Sequence, residues 1–147
     1  MSRDGSKIGV LAPLVGYHLR RASGAFAADF IIAMNGTGMR QILFGILSIV
    51  SANPGINQGA VGNMLNVKRA NMVALVNELV ERGLVERVVS PDDRRAFALS
   101  LTPAGKDMLG QCLERIAAHE ASMLSDFSED EKRTLIDLLG RIEAKQF

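Results

Sequence analysis

Between residues 57 and 103 the spacing of apolar residues changes twice, and few folds accommodate both changes. Two short segments with helical spacing come first. One runs from about Asn57 to Asn66, and Gly59 and Gly62 each weaken it by up to about 1 kcal/mol relative to alanine. After a tight turn at Asn66-Val67 the other runs from about Lys68 to Arg82. Met72, Val76 and Leu79 form its inward stripe and Gly83 its stop. The period then drops to two. Leu84 to Val89 reads as a strand, Ser90-Pro91-Asp92-Asp93 as a turn, and Phe97, Leu99 and Leu101 share one face of the segment from Arg95 to Leu101. Thr102-Pro103 restores helix, with Thr as N-cap and Pro in the first turn. Two strands alone are marginally stable, so Phe97, Leu99 and Leu101 must pack on helices. The expected fold is mainly α with a small two-stranded β hairpin.

The flanks are helical. From Leu14 to Met34 apolar residues recur at Leu14, His18, Ala22, Phe26 and Phe30, and Asn35-Gly36-Thr37-Gly38 ends the segment. Arg40 to Ser51 is almost entirely apolar, which predicts a centrally buried helix stopped by Asn53-Pro54-Gly55. Beyond the hairpin, Leu109, Leu113, Ile116, Glu120 and Met123 carry a helix to about Phe127. Ser128 with Glu131 forms a capping box for a last helix, whose Leu135, Leu138, Leu139 and Ile142 are expected to face inward.

Composition removes whole classes of function. With 48% hydrophobic and 22% charged residues the chain is not intrinsically disordered. Its single cysteine, Cys112, excludes an internal disulfide framework and a cysteine-built zinc site, and suits a reducing cytoplasm. His18 and His119 stand far apart without suitably spaced acidic or thiol ligands, so no metal and no cofactor are expected. No nucleophile elbow, phosphate loop or zinc-protease pattern is present, and Glu129-Asp130-Glu131 reads as an acidic first helical turn, so an enzyme is not expected. No membrane association is expected either. Ile42 to Val50 is too short to span a bilayer. The apolar stretch from Ile8 to Tyr17 contains Pro13 and is followed by Arg20-Arg21, which is wrong for export.

The formal net charge of +1 hides an asymmetry. Residues 1–56 carry a net +3, residues 57–106 a net +2 and residues 107–147 a net −4. A basic front suits a polyanion and an acidic tail should face away from it. The helix pair at 57–82 has the size of a helix-turn-helix, whose second helix places its N-terminal residues on base edges in the major groove. Those residues are Lys68, Arg69, Ala70 and Asn71, with Ala74 one turn further on. Lys and Arg suit guanine, Asn suits adenine, and small side chains let the backbone approach the bases. Asn57 and Gln58, which open the preceding helix, join this set. In Asp93-Arg94-Arg95 one arginine is expected to pair with Asp93 and the other to reach a minor groove. The expected partner is double-stranded DNA. An ordinary helix pair with a solvated basic start, and a charged turn that keeps the hairpin soluble, would leave the same residues.

Three segments in order carry a resemblance: Glu78-Leu79-Val80-Glu81-Arg82-Gly83-Leu84-Val85-Glu86-Arg87, then Asp93-Arg94-Arg95-Ala96, then Leu99-Ser100-Leu101-Thr102-Pro103-Ala104-Gly105. The chain resembles the MarR family of winged helix-turn-helix regulators. The resemblance implies one domain over residues 1–147, with a DNA-binding lobe at 35–102 and dimerisation helices at 8–34 and 103–147. It also implies a homodimer on a pseudo-palindromic operator, acting as a repressor and less often as an activator. Frequent family effectors are small aromatic carboxylates and aromatic acyl thioesters. The recognition helix departs from the family pattern: Ala70, Asn71 and Ala74 replace the usual Ser/Thr and Arg, so no operator sequence can be carried over.

In the family the effector sits between the dimer helices and the DNA-binding lobe. Here Tyr17, His18, Arg21, Arg40 and Phe44 are the candidates, with Tyr, His or Arg holding a carboxylate or phenol and Phe44 covering a ring. Alternatively, the arginines lie on the surface or face phosphate. Some relatives sense peroxide with a cysteine near the start of the first helix. Cys112 lies elsewhere, beside Leu109 and Leu113, where a packed thiol is inert. A thiol redox-sensing regulator and a winged-helix protein-interaction module remain the rival readings.

Overall fold

The chain is organised around a helix with almost no polar surface. In the computed structural model, which describes residues 5–89 and 97–145, helix α3 (Gln41–Ala52) places Leu43, Ile46, Leu47 and Val50 wholly out of solvent. The sequence QILFGILSIVSA leaves a helix no way to satisfy its apolar residues except from several sides. α4 (Gln58–Leu65) contributes Val61, and α5 (Arg69–Glu81) contributes Met72, Val76 and Leu79. Met34 and Met39 from the segment preceding α3, with Leu84, Val85, Leu99, Leu109 and Cys112, complete the buried core. Leu109 and Cys112 come from the first half of α6 (Pro103–Met123). That long helix therefore begins inside the core and then leaves it.

The β structure has one strand more than expected. β2 (Val85–Val89) and β3 (Phe97–Leu101) form the antiparallel hairpin, with Arg87 opposite Leu99 and Val89 opposite Phe97. The two-residue strand β1 (Ile56–Asn57) pairs with the other edge of β3, Ile56 opposite Leu99, so the sheet is three-stranded in the order β1-β3-β2. Gly55 N reinforces this edge by donating to Leu99 O at 2.8 Å. Two residues leave no periodic signal, and Asn57 also serves as the N-cap of the following helix. The third strand exists because the chain leaving α3 passes along the open edge of β3.

The remaining helices differ from the expected ones mainly at their ends. Short α1 (Gly5–Ile8) and a 3-10 turn (Gly9–Leu11) precede α2 (Val15–Ala33). α6 stops at Met123, four residues before the expected Phe127, and a further turn closes with Phe127 N on Leu124 O. α7 (Glu129–Glu143) starts on the predicted capping box, both of whose hydrogen bonds are formed. Its apolar stripe does not face inward within the chain: Leu135, Ile136, Leu138 and Ile142 all lie open. Neither α2 nor α7 buries a single residue completely. No helix among the described residues is long and apolar enough to cross a membrane.

Candidate nucleic-acid interface

The helix-turn-helix is built from α4 and α5. Asn57 is the N-cap of α4, and its Oδ1 accepts from Gly59 N at 2.7 Å, satisfying one of the free amides of the first turn. At the other end Asn66 adopts the left-handed conformation (φ 55°), which Asn tolerates better than most residues. Val67 N then donates to Gly62 O at 2.8 Å and closes the turn. Gly62 is buried where the helices meet. A Cβ there would come within 2.8 Å of Met72 Cγ and 3.2 Å of Val67 O, so the glycine that weakens α4 permits the close approach of α5.

α5 separates its two faces cleanly. Met72, Val76 and Leu79, at i, i+4 and i+7, are anchored in the core. Lys68, Arg69, Ala70 and Asn71, together with Ala74, are all exposed. Lys68 occupies the N-cap position without a side-chain capping bond. The first turn of α5 thus presents two cations and an amide to solvent at the helix end with positive partial charge. A groove of about 520 Å³ runs alongside, lined by Asn57, Gln58 and Asn63 of the α4 segment, Arg69 and Val73 of α5, and Phe97 of the wing. Gln58 Oε1 is buried without a hydrogen-bond partner among the described residues. Arg87 of β2 donates to Asn77 Oδ1 of α5 at 2.6 Å and lies 4.9 Å from the centre of the Phe97 ring, tying the wing to α5. Asp93, Arg94 and Arg95 lie outside the described residues.

The five residues considered for a small acid do not share one set of contacts. Tyr17 and His18 meet edge to face at 5.2 Å, and His18 Nε2 lies 2.8 Å from Ala12 O in the segment before α2. Arg21 is exposed on α2. Phe44 packs on Phe30 at 6.3 Å between ring centres. Arg40 turns to α5, where its two terminal nitrogens each stand 3.0 Å from one oxygen of Glu78. That fork pushes the Arg40 guanidinium further above its usual range and holds the Glu78 carboxyl below its own, in both cases chiefly through the shared hydrogen bonds.

Several interactions escaped sequence reasoning because their partners are distant in the chain. His119, buried on α6, brings Nδ1 to the Asp29 carboxylate of α2 and touches the edges of Phe26 and Phe30. With Phe44 these rings form an aromatic column that joins α2, α6 and α3. Arg115 of α6 donates to Ala33 O and Asn35 O at 2.9 and 3.0 Å, and Arg82 at the end of α5 donates to Gly38 O and Thr37 O at 2.8 and 3.0 Å. No local pattern announces bonds that span 44 to 82 positions. Cys112 is fully buried, and that burial pushes its thiol up.

The fold and the sequence both have counterparts in known proteins. A MarR family model matches residues 37–96. A protein of Thauera aromatica assigned as the transcriptional regulatory protein for the hcr operon is 35% identical over 135 residues, which is 91% of this chain and 81% of that protein. The repressor CouR bound to a 23-mer DNA duplex superposes with a TM-score of 0.89 at 33% identity, covering 92% of this chain and 96% of that one. CouR bound to p-coumaroyl-CoA superposes at 0.83 and 31% identity, covering 95% and 98%. The regulator PcaV from Streptomyces coelicolor, in complex with its natural ligand, superposes at 0.81 and 27% identity, covering 92% and 95%. On the match of both sequence and fold, the chain belongs to the MarR family of transcriptional regulators.

Proposed function

We propose that this regulator is a cytoplasmic homodimeric repressor that leaves a pseudo-palindromic operator when it binds a small aromatic acid or its thioester. The observation that carries the DNA half of the reading is the first turn of α5. Lys68, Arg69, Ala70 and Asn71 are open to solvent while Met72 is buried beneath them. Each of two recognition helices would enter one major groove, with a dimer through residues 8–34 and 103–147 setting their separation near one helical turn, roughly 34 Å. Lys68, Arg69 and Asn71 would read base edges. Ala70 and Ala74 would allow close approach, and Asn57 and Gln58 would meet the backbone beside them.

The effector half rests on two supports. The relatives include CouR bound to p-coumaroyl-CoA and PcaV bound to its natural ligand. In this chain the aromatic column Phe26, His119, Phe30 and Phe44 joins α2, α6 and α3, and Tyr17, His18 and Arg21 stand on the same α2 and Arg40 just before α3. A ring could stack there and a carboxylate find a cation. A ligand acts only if it binds the DNA-incompetent shape more tightly. A hundredfold loss of operator affinity needs a coupling of about 2.7 kcal/mol, within the usual allosteric range.

The test uses a duplex recovered from a random pool by the protein itself. Aromatic acids and their CoA thioesters are titrated with and without that duplex. The expected result is binding that lowers duplex affinity by one to two orders of magnitude. Tight binding that leaves duplex affinity unchanged overturns induction. A redox mechanism has less in its favour, since Cys112 is buried and its thiol is pushed up.

A further inference from the structure

The loop between α2 and α3 is held by side chains from two distant helices. Residues 33–40 contain the free carbonyls of the α2 C-terminus and the turn that follows. Arg115 of α6 takes Ala33 O and Asn35 O; Arg82 of α5 takes Thr37 O and Gly38 O. The loop is also internally braced. Buried Thr37 donates from Oγ1 to Met34 O at 2.6 Å and accepts from Met39 N at 3.0 Å. Gly38 has φ +71°, a left-handed conformation that favours glycine, and a Cβ on it would stand 2.5 Å from Arg82 Nη2 and displace that guanidinium from the loop. Two residues further, Arg40 forks onto both oxygens of Glu78, and Arg82 Nη1 stands 3.8 Å from the same carboxylate.

We propose that Arg82, Glu78 and Arg40 are positioning residues for DNA reading, holding the C-terminal half of α5 to a loop that Arg115 fastens to α6. Glu78 and Arg82 lie two to three turns beyond the reading residues of α5, so they act through the helix rather than on a base. A small rotation at this end is carried to Lys68 and Asn71 at the other, because a helix is stiff along its axis. Arg82 and Arg115 grip the same eight-residue stretch from two different helices. The loop is therefore a short mechanical path between a long helix and the reading helix, and nothing in it requires an effector.

Charge makes the proposal testable. Glu78→Gln removes a negative charge from a DNA-binding lobe, so electrostatics alone would tighten DNA binding. If Glu78 positions α5, the same substitution weakens binding to the pool-selected duplex by about tenfold, the size expected of coupling through a packed network. The slope of log affinity against log salt stays unchanged, because no phosphate contact is lost. Arg82→Gln follows the same pattern. Glu78→Asp, which keeps a carboxylate facing both Arg40 and Arg82, recovers affinity to within about threefold of the parent. Thermal unfolding confirms that each variant is folded. Should Arg82→Gln not fold, Glu78→Gln and Glu78→Asp decide the question, since the Glu78 side chain is partly exposed. Tighter binding by Glu78→Gln overturns the proposal. So does a salt slope flattened by about one unit in Arg82→Gln, which marks a phosphate contact, or a Glu78→Asp variant no better than Glu78→Gln.

Discussion

The lobe around α3 and the long helices α2 and α7 are made of similar residues but dispose of them in opposite ways. In the lobe, Leu43, Ile46, Leu47, Val61, Val76, Leu79 and Leu99 have no exposed surface. On α2 and α7, residues as apolar as these stay open: Ile31 and Ile32 are each 72% exposed and Ile136 is 67% exposed. Burial of a large aliphatic side chain contributes about 1.5–3 kcal/mol, so the lobe is self-sufficient while the long helices leave that stabilisation unrealised within one chain. An amphipathic helix with its stripe open is suited to a second surface. The self-complementary stripe of a second copy meets that need and agrees with the proposed homodimer.

The largest expected effect tests whether the two regions differ as described. Leu79→Ala should lower the unfolding free energy by about 2–5 kcal/mol, with a urea midpoint shift that is the same at low and high protein concentration. Ile136→Ala should change the intrinsic stability of the lobe by no more than about 0.5 kcal/mol, as for an exposed site. Its effect should instead grow as the protein is diluted. A loss with Ile136→Ala that matches Leu79→Ala and ignores concentration would mean that α7 folds onto its own chain.

An intermediate effect is expected at the joint between the regions, where α6 leaves the core. Gly105 is buried in the first turn of α6, its amide donating to the Thr102 cap at 2.9 Å, and a Cβ there would collide with the backbone carbonyl of Leu84. Backbone cannot swing away as a side chain can. Gly105→Ala should therefore cost about 1–3 kcal/mol, the range for overpacking, despite the better helix propensity of alanine. A neutral or stabilising result in thermal unfolding would show that the joint is loose.

The smallest effect concerns Cys112, on the core side of α6. Burial raises its thiol in the folded protein, so the unfolded chain releases its proton first. The stabilisation is fully present below the unfolded value of about 8.5 and is lost as pH rises through the folded one. Stability should decline slightly above about pH 8.5 in the parent, and Cys112→Ala should remove that part of the decline. A thiol reagent should react with native protein only at the rate of unfolding. Rapid labelling at neutral pH would place Cys112 in the accessible region and reopen the redox reading.

Much of the lobe is legible from local pattern. The stripe Met72, Val76 and Leu79 predicts which side of α5 is buried, and therefore that Lys68, Arg69, Ala70 and Asn71 face outward. Caps at Thr102 and Ser128 and the stop at Gly83 are written in adjacent residues, so helix ends there fall within about one residue of expectation. The capping bonds form between groups three residues apart, and the sequence contains both partners.

What adjacency could not contain is who meets whom across the fold. The strand Ile56–Asn57 exists only because β3 has a free edge beside it. Arg40 is a candidate anion ligand when read alone and becomes half of a fork when α5 brings Glu78 to it across 38 positions. Arg82 and Arg115 look like solvated helix charges until the carbonyls of the α2–α3 loop arrive. A hydrophobic period states which face of an element is buried, since burial is a property of one residue and water. A hydrogen bond or ion pair is a property of two groups, and their distance is set by packing that no single segment carries.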